Sequence, residues 1–161
     1  MFGFGKKEEI IKIASPIEGK CIPLSEVLDE AFSSKAMGEG VAIIPDSGKV
    51  IAPFDGSIVH IMNKSKHAII IEHKSKVQLL VHVGMDTVSL KGEGFKAHVE
   101  TGDKVKKGQL LLEFDMNLIS THGYSLVTPI VVPNGQEHIK KVVVKDDQPE
   151  LMEEEVIQVY L

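Results

Sequence analysis

Two histidines, His67 and His82, stand at the outer ends of two short apolar runs, HAIIIEH and VQLLVHV, joined by the polar stretch Lys74–Lys76. Runs rich in Ile, Val and Leu around a hydrophilic break predict a β-hairpin with strands His67–His73 and Val77–Val83. With Lys74 and Ser75 at the centre of the turn, His67 falls directly opposite His82 on one face. The other face then carries Ala68 with Val81, Ile70 with Leu79, and Glu72 with Val77. A register different by one residue would part the two histidines. Two imidazoles on one sheet face can hold a metal, move protons, or let one ring attack while the other assists. They can equally be a structural pair satisfied by carbonyls at a sheet end. The sequence after His82 weighs against that plainer reading. Gly84 lets backbone approach a ligand closely, and Asp86–Thr87 and the Gly92-Glu93-Gly94 turn lead on to Phe95.

The elements that must position these rings are mostly strands. Short apolar runs at Ile10–Ala14, Val41–Ile44, Lys49–Ala52, Ser57–Met62, Ser125–Pro133, Ile139–Val144 and Glu155–Tyr160 alternate with Gly, Pro, Asp and Ser punctuation. That spacing predicts an all-β antiparallel sandwich or barrel with a few helical turns, not βαβ units. Two short helices are expected, Ser25–Ala31 with Ser25 as N-cap, and Asp115–Ser120 capped by Asp115. A Pro–apolar–acid–Gly pattern occurs at Pro16 and again at Pro53, either as two unrelated turns or as the trace of an internal duplication. His60, His73, His98, His122 and His138 read as exposed positions, and Glu153–Glu155 as a solvated acidic face. Cys21, in an apolar strand with no base beside it, reads as a small buried hydrophobe.

Composition narrows the chemistry. The chain has 161 residues and a net charge of −5, enough for one domain with a real core and without a basic surface for nucleic acid. Residues 1–9 are expected to be a flexible tail and 10–161 a single domain. All 18 basic residues are lysines, so no guanidinium fork is available within the chain for a phosphoryl group. The single cysteine rules out an internal disulfide, and no apolar run approaches the ~20 residues of a membrane helix. A cytoplasmic protein is expected.

The stretch LLVHVGMDTVSLKGEGF around His82 resembles the active-site signature of the glucose-type enzyme IIA family of the bacterial sugar phosphotransferase system. Further similarity lies in Phe32 and Lys35 before GEGVAIIP, in APFDG, and in LVTPIVVPN. It runs through nearly the whole chain from about Ile13. The resemblance implies the duplicated hybrid fold shared with biotinyl and lipoyl domains, and no cofactor. It implies that His82 is phosphorylated and that His67 is the supporting ring. It places Phe32 and Met37 in an apolar apron where partners dock, with Asp29 and Asp86 meeting basic residues of the donor. Ser65 stands where the family commonly has Thr, whose hydroxyl orients the supporting ring, and an extra residue precedes it. The implied donor is the histidine phosphocarrier protein HPr, and the implied acceptor a cysteine on the IIB domain of a sugar permease.

Two other readings compete. A lysostaphin-like zinc hydrolase needs a His-x-His element, but His82 is followed by Val83-Gly84. Adventitious zinc between His67 and His82 stays open, with a partner's carboxylate completing the tetrahedron. The third reading is a regulatory binding protein whose docking surface changes when His82 gains charge.

Overall fold

The structure is a computed structural model and describes residues 9–145 and 155–161. The expected tail, apart from Glu9, and Glu153–Glu154 of the acidic run lie outside the described residues. Glu155 itself pairs with Lys145 at 2.9 Å. The chain forms β1 (Ile10–Ala14), β2 (Gly19–Pro23), α1 (Glu30–Ser33), β3 (Gly38–Pro45), β4 (Lys49–Ile51), β5 (Gly56–Ile61), β6 (Ala68–His73) and β7 (Gln78–His82). It continues through β8 (Phe95–Ala97), β9 (Lys104–Val105), β10 (Leu110–Phe114), α2 (Met116–Thr121), β11 (Thr128–Pro133), β12 (Lys141–Val144) and β13 (Glu155–Tyr160).

Among the described residues every strand pairing is antiparallel. Among the described residues the largest sheet has seven strands in the order β2-β3-β11-β7-β6-β5-β9, beside two three-stranded sheets, β1-β13-β12 and β4-β10-β8. The architecture is the expected all-β antiparallel one, with two short α-helices among the described residues. The central strands of the large sheet are apolar on both faces because both are covered. Ile69, Ile71, Leu79 and Val81 enter one core. Ala68 and Leu80 enter a second, smaller one with Phe32, Met85 and Val131. Burying a side chain of this size contributes roughly 1.5–3 kcal/mol, so the middle of β6 and β7 is firmly anchored and their shared end makes a rigid platform.

The two Pro–apolar–acid–Gly motifs occupy corresponding places. Each leads into a strand toward one end of the large sheet, β2 beside β3 and β5 beside β6. In each the closing glycine is pressed against a neighbouring carbonyl. A Cβ would lie 2.2 Å from the Ile44 oxygen at Gly19 and 2.1 Å from the Glu72 oxygen at Gly56. The same close approach occurs at Gly38, Gly40 and Gly48, so it reflects backbone crowding within the sheets and does not decide between duplication and two unrelated turns.

The first helix differs from expectation. Leu24–Glu26 is a single 3-10 turn, after which Val27 is extended at φ −73°, ψ 136°, and breaks the run. The helix proper is α1, and its N-cap is Asp29, not Ser25, with the carboxylate accepting from the Ala31 N–H at 2.9 Å. The second helix forms as expected: Asp115 caps α2 by accepting from the Leu118 N–H at 3.0 Å.

Candidate functional site

The hairpin that carries the histidines pairs Ala68 with His82, Ile69 with Val81, Ile70 with Leu80, Ile71 with Leu79 and Glu72 with Gln78. This is one residue away from the expected register. The cause is the turn. The His73 N–H donates to the Val77 carbonyl and the Lys76 N–H to the His73 carbonyl, both at 2.8 Å. Lys74, Ser75 and Lys76 thus form a three-residue loop, with Lys76 in the left-handed region at φ 76°, as such loops require. A lysine in a place that usually takes glycine carries no warning in the sequence.

Strict alternation in this register would set His67 and His82 on opposite faces. They meet nonetheless, with ring centroids 4.8 Å apart and planes at 88°. His67 precedes the first ladder residue of β6 and follows Lys66, itself left-handed at φ 54°. The His67 carbonyl still accepts from the Val83 N–H at 2.7 Å, but its side chain is released from the pleat and turns onto His82.

Each ring is held by its Nδ1. His82 Nδ1 lies 2.9 Å from the Gly84 carbonyl oxygen. A carbonyl can only accept, so Nδ1 carries the proton and Nε2 of the neutral ring keeps a free lone pair. His67 Nδ1 lies 2.8 Å from the Ser65 hydroxyl, which is also 3.7 Å from the Met62 sulfur. The hydroxyl has one proton, and imidazole nitrogen at the shorter distance is the better acceptor. Ser65 therefore donates to Nδ1, leaving His67 with a proton on Nε2. Burial, and then the neighbouring His82, lower the His67 pKa from 6.5 to about 4. Burial also lowers that of His82, opposed by the Gly84 carbonyl and by the charges of Asp29 and Asp86. Both rings are thus neutral near pH 7.

The loop after His82 is fastened from below. The Gly84 N–H donates to the Thr128 hydroxyl at 3.3 Å, and that hydroxyl donates to the Leu126 carbonyl at 2.9 Å. The Met85 N–H donates to the Ser125 carbonyl at 3.0 Å, and buried Thr87 donates its hydroxyl to the Val83 carbonyl. Gly84 is required by shape: at φ +72° a Cβ would lie 2.7 Å from both the Ser125 oxygen and Thr87 Cγ2. Its N–H is engaged by Thr128, and its orienting contact with His82 is made through the carbonyl. Thr128 and Ser125 escaped the sequence reading, because a contact across 44 residues leaves no local pattern. Thr87 was visible inside the signature without a stated role.

Around the rings the expected periphery is partly rearranged. Phe32, expected in an apolar apron around the histidines, lies beside His82 but is buried. It is 4% exposed and packs on His82, with centroids 5.1 Å apart. Met37 is exposed at 40%, as are Met62 and Val88 at 38% and 49%. Asp86 is exposed, and Asp29 is half-buried while capping α1. His60, His98, His122 and His138 are exposed as expected. His73 is not. It is half-buried against Phe54, with centroids 5.2 Å apart, and its Nδ1 accepts from the Ser75 N–H at 3.0 Å.

A metal-centred reading finds little to build on. A catalytic zinc needs three protein ligands, and among the described residues no group of three His, Cys, Asp or Glu side chains is placed to hold a metal ion. Among them, too, no helix is long and apolar enough to cross a membrane.

Comparison with known proteins gives a consistent result. Residues 11–138 match the family model described as phosphoenolpyruvate-dependent sugar phosphotransferase system, EIIA 1. The chain is 44% identical over 149 residues to the glucose-specific EIICBA component of Staphylococcus saprophyticus, covering 92% of this chain and 22% of that one. It is 50% identical over 131 residues to the glucosamine-specific EIICBA component of Bacillus subtilis, covering 81% of this chain and 21% of that one. Thus the chain spans about a fifth of the length of these two relatives. The glucose-specific EIIA component of Oceanobacillus iheyensis is 48% identical over 124 residues, covering 77% of this chain and 74% of its own length. Among solved structures, glucose permease IIA from Mycoplasma capricolum superimposes with a TM-score of 0.82 at 33% identity, covering 98% of this chain and 99% of that one. None of these matches supports the hydrolase or a purely regulatory role. The chain belongs to the EIIA 1 family of the phosphoenolpyruvate-dependent sugar phosphotransferase system.

Proposed function

We propose that His82 is the phosphorylated residue, that Nε2 is the atom that takes the phosphoryl group, and that His67 supports the transfer. One observation carries this reading. The two rings meet at 4.8 Å while the Gly84 carbonyl holds the proton of His82 on Nδ1, leaving Nε2 as the nucleophile. In the first step the Nε2 lone pair forms a bond to phosphorus, and the bond from phosphorus to the donor's nitrogen breaks. In the second a thiolate of the acceptor attacks the same phosphorus, and the bond to Nε2 breaks. His67 donates its Nε2–H to the phosphoryl oxygens as charge moves between them. Phosphoryl transfer rests mainly on positioning and electrostatics, and a rigid site needing no metal is chemically sufficient.

The donor is HPr, and the acceptor is the cysteine of a IIB domain of a glucose-type sugar permease, met on the cytoplasmic side. Because this chain has no arginine, the guanidinium that steadies the phosphoryl group comes from the donor, with Asp29, Asp86 and Met37 at the contact. Residues 10–161 act as one carrier domain. Incubation with phosphoenolpyruvate and the general phosphotransferase components should add one acid-labile phosphate per chain and none to His82→Gln. An His82→Gln protein that still takes up phosphate would overturn the assignment. His67→Gln should still be charged but pass phosphate on about 10²-fold more slowly, and equal loss of both steps would contradict the division of labour.

A further inference from the structure

The backbone ladder between β7 and β11 ends before it reaches the loop that holds His82. Its registered pairs are Leu80 with Val131 and Val81 with Ile130. Beyond them Gly84 turns into the left-handed region at φ +72°. A buried N–H that leaves a ladder needs another acceptor, and the Gly84 N–H finds the hydroxyl of Thr128 at 3.3 Å. That hydroxyl has one proton and gives it to the Leu126 carbonyl at 2.9 Å. Toward Gly84 its oxygen can therefore only accept. Thr128 is fully buried and sits on β11 opposite Ile43 of β3, inside the large sheet. One residue on, the Met85 N–H donates to the Ser125 carbonyl at 3.0 Å. The peptide units on both sides of the Gly84 Cα are thus tied to residues 125–128. The second of these units carries the carbonyl that takes the Nδ1 proton of His82 at 2.9 Å.

We infer that Thr128 is a positioning residue for the nucleophile: its buried hydroxyl aims the Gly84 carbonyl at His82 and so keeps the ring in the tautomer whose Nε2 can attack. The inference deepens the phosphocarrier reading and rests on it. Glycine has no side chain to steady the loop, and its two flanking peptides turn freely. The Met85 tie runs between backbone atoms and does not depend on which side chain stands at position 125. The Gly84 N–H tie exists only with a hydroxyl at position 128. Valine has nearly the shape of threonine but neither donates nor accepts. Thr128→Val therefore leaves the Gly84 N–H without this acceptor and the Leu126 carbonyl without this donor. The loop can relieve that only by turning at Gly84, which swings the carbonyl off Nδ1. The His82 proton is then free to sit on Nε2, where it occupies the attacking lone pair.

The test reads the His82 tautomer by nitrogen-15 NMR of the unphosphorylated full-length chain, and the rate of charging by rapid quench with phospho-HPr. The parent and Thr128→Ser should both hold His82 in the Nδ1–H form and charge within about threefold of each other. Thr128→Val should show both tautomers and a limiting charging rate about tenfold lower, with half-saturation by phospho-HPr within about twofold of the parent. Thr128→Cys, whose thiol is a weak acceptor, should fall between serine and valine, and it decides the matter if the valine variant does not fold. A parental tautomer and rate in Thr128→Val, or in Thr128→Cys where valine does not fold, would overturn the assignment. So would a serine variant as slow as the valine one, because the methyl and not the hydroxyl would then be responsible. Phosphate on a residue other than His82 of the parent would count against the phosphocarrier reading, while the tautomers of the unphosphorylated variants still decide the role of Thr128.

Discussion

The proton on each imidazole is set by one neighbour, and the two neighbours set opposite tautomers. The Gly84 carbonyl forces His82 to keep its proton on Nδ1, and the Ser65 hydroxyl lets His67 keep its proton on Nε2. The pair thus presents one lone pair and one donor to a shared space, a division that protonation of His82 on Nε2 would abolish. Ser65 acts through His67, so Ser65→Ala should leave charging from phospho-HPr nearly intact and slow onward transfer about tenfold. Ser65→Thr should restore it, and steady-state assays of the two half-steps would show the split. The same neighbours make a pH prediction. Burial holds the folded-state pKa of His67 at about 4, below the ordinary 6.5. Between those values the unfolded chain binds more protons than the folded one, so stability falls as pH drops. The ring's contribution is complete above pH 6.5 and is lost progressively toward pH 4. Urea unfolding across that range should show a steeper decline for the parent chain than for His67→Gln. Parallel slopes would contradict the burial of a neutral ring.

At the scale of elements, the hairpin shows what was legible and what was not. That β6 and β7 pair, with the two histidines at their shared end, follows from Ile-, Val- and Leu-rich runs around a polar break. The register did not follow, because Lys76 and Lys66 adopt left-handed backbone that nothing in a lysine announces. The ladder slipped by one residue, and His67 regained its partner only by leaving the pleat. Asp115 gave its helix away because its carboxylate caps a turn three residues on. Ser25 misled because Val27 stays extended before a cap at Asp29. The support of the loop by Thr128 and Ser125 was hidden for a third reason: it is purely tertiary. Two substitutions test this level. Lys76→Gly removes a left-handed non-glycine residue without touching the core, and should stabilise the fold by about 0.5–1 kcal/mol in chemical denaturation. Gly84→Ala should destabilise it by about 1–3 kcal/mol. It should also raise the rate at which His82 titrates away from its Nδ1–H form, read from imidazole nitrogen shifts, because the carbonyl that holds the ring must move.

Across the whole molecule, the large sheet supplies a platform sealed on both faces, and one end of its central hairpin is left for exchange. Function was more legible than register because the signature around His82 is long and local, whereas register depends on backbone angles. Asp29 and Asp86, whose charges reach His82, and the groove lined by Met62, Lys64, Ser65, Val88 and Lys91 lie on separate segments, so only folding brings them round one centre. A firmly braced site suits phosphoryl transfer, which rests mainly on positioning and electrostatics. The most direct measurement is nitrogen-15 NMR of the chain phosphorylated by phospho-HPr, which reports the phosphorus-bearing atom of the imidazole. One phosphate on Nε2 of His82, with Nδ1 still protonated, is the expected result. Phosphate on Nδ1, on His67 or on any other residue would contradict it.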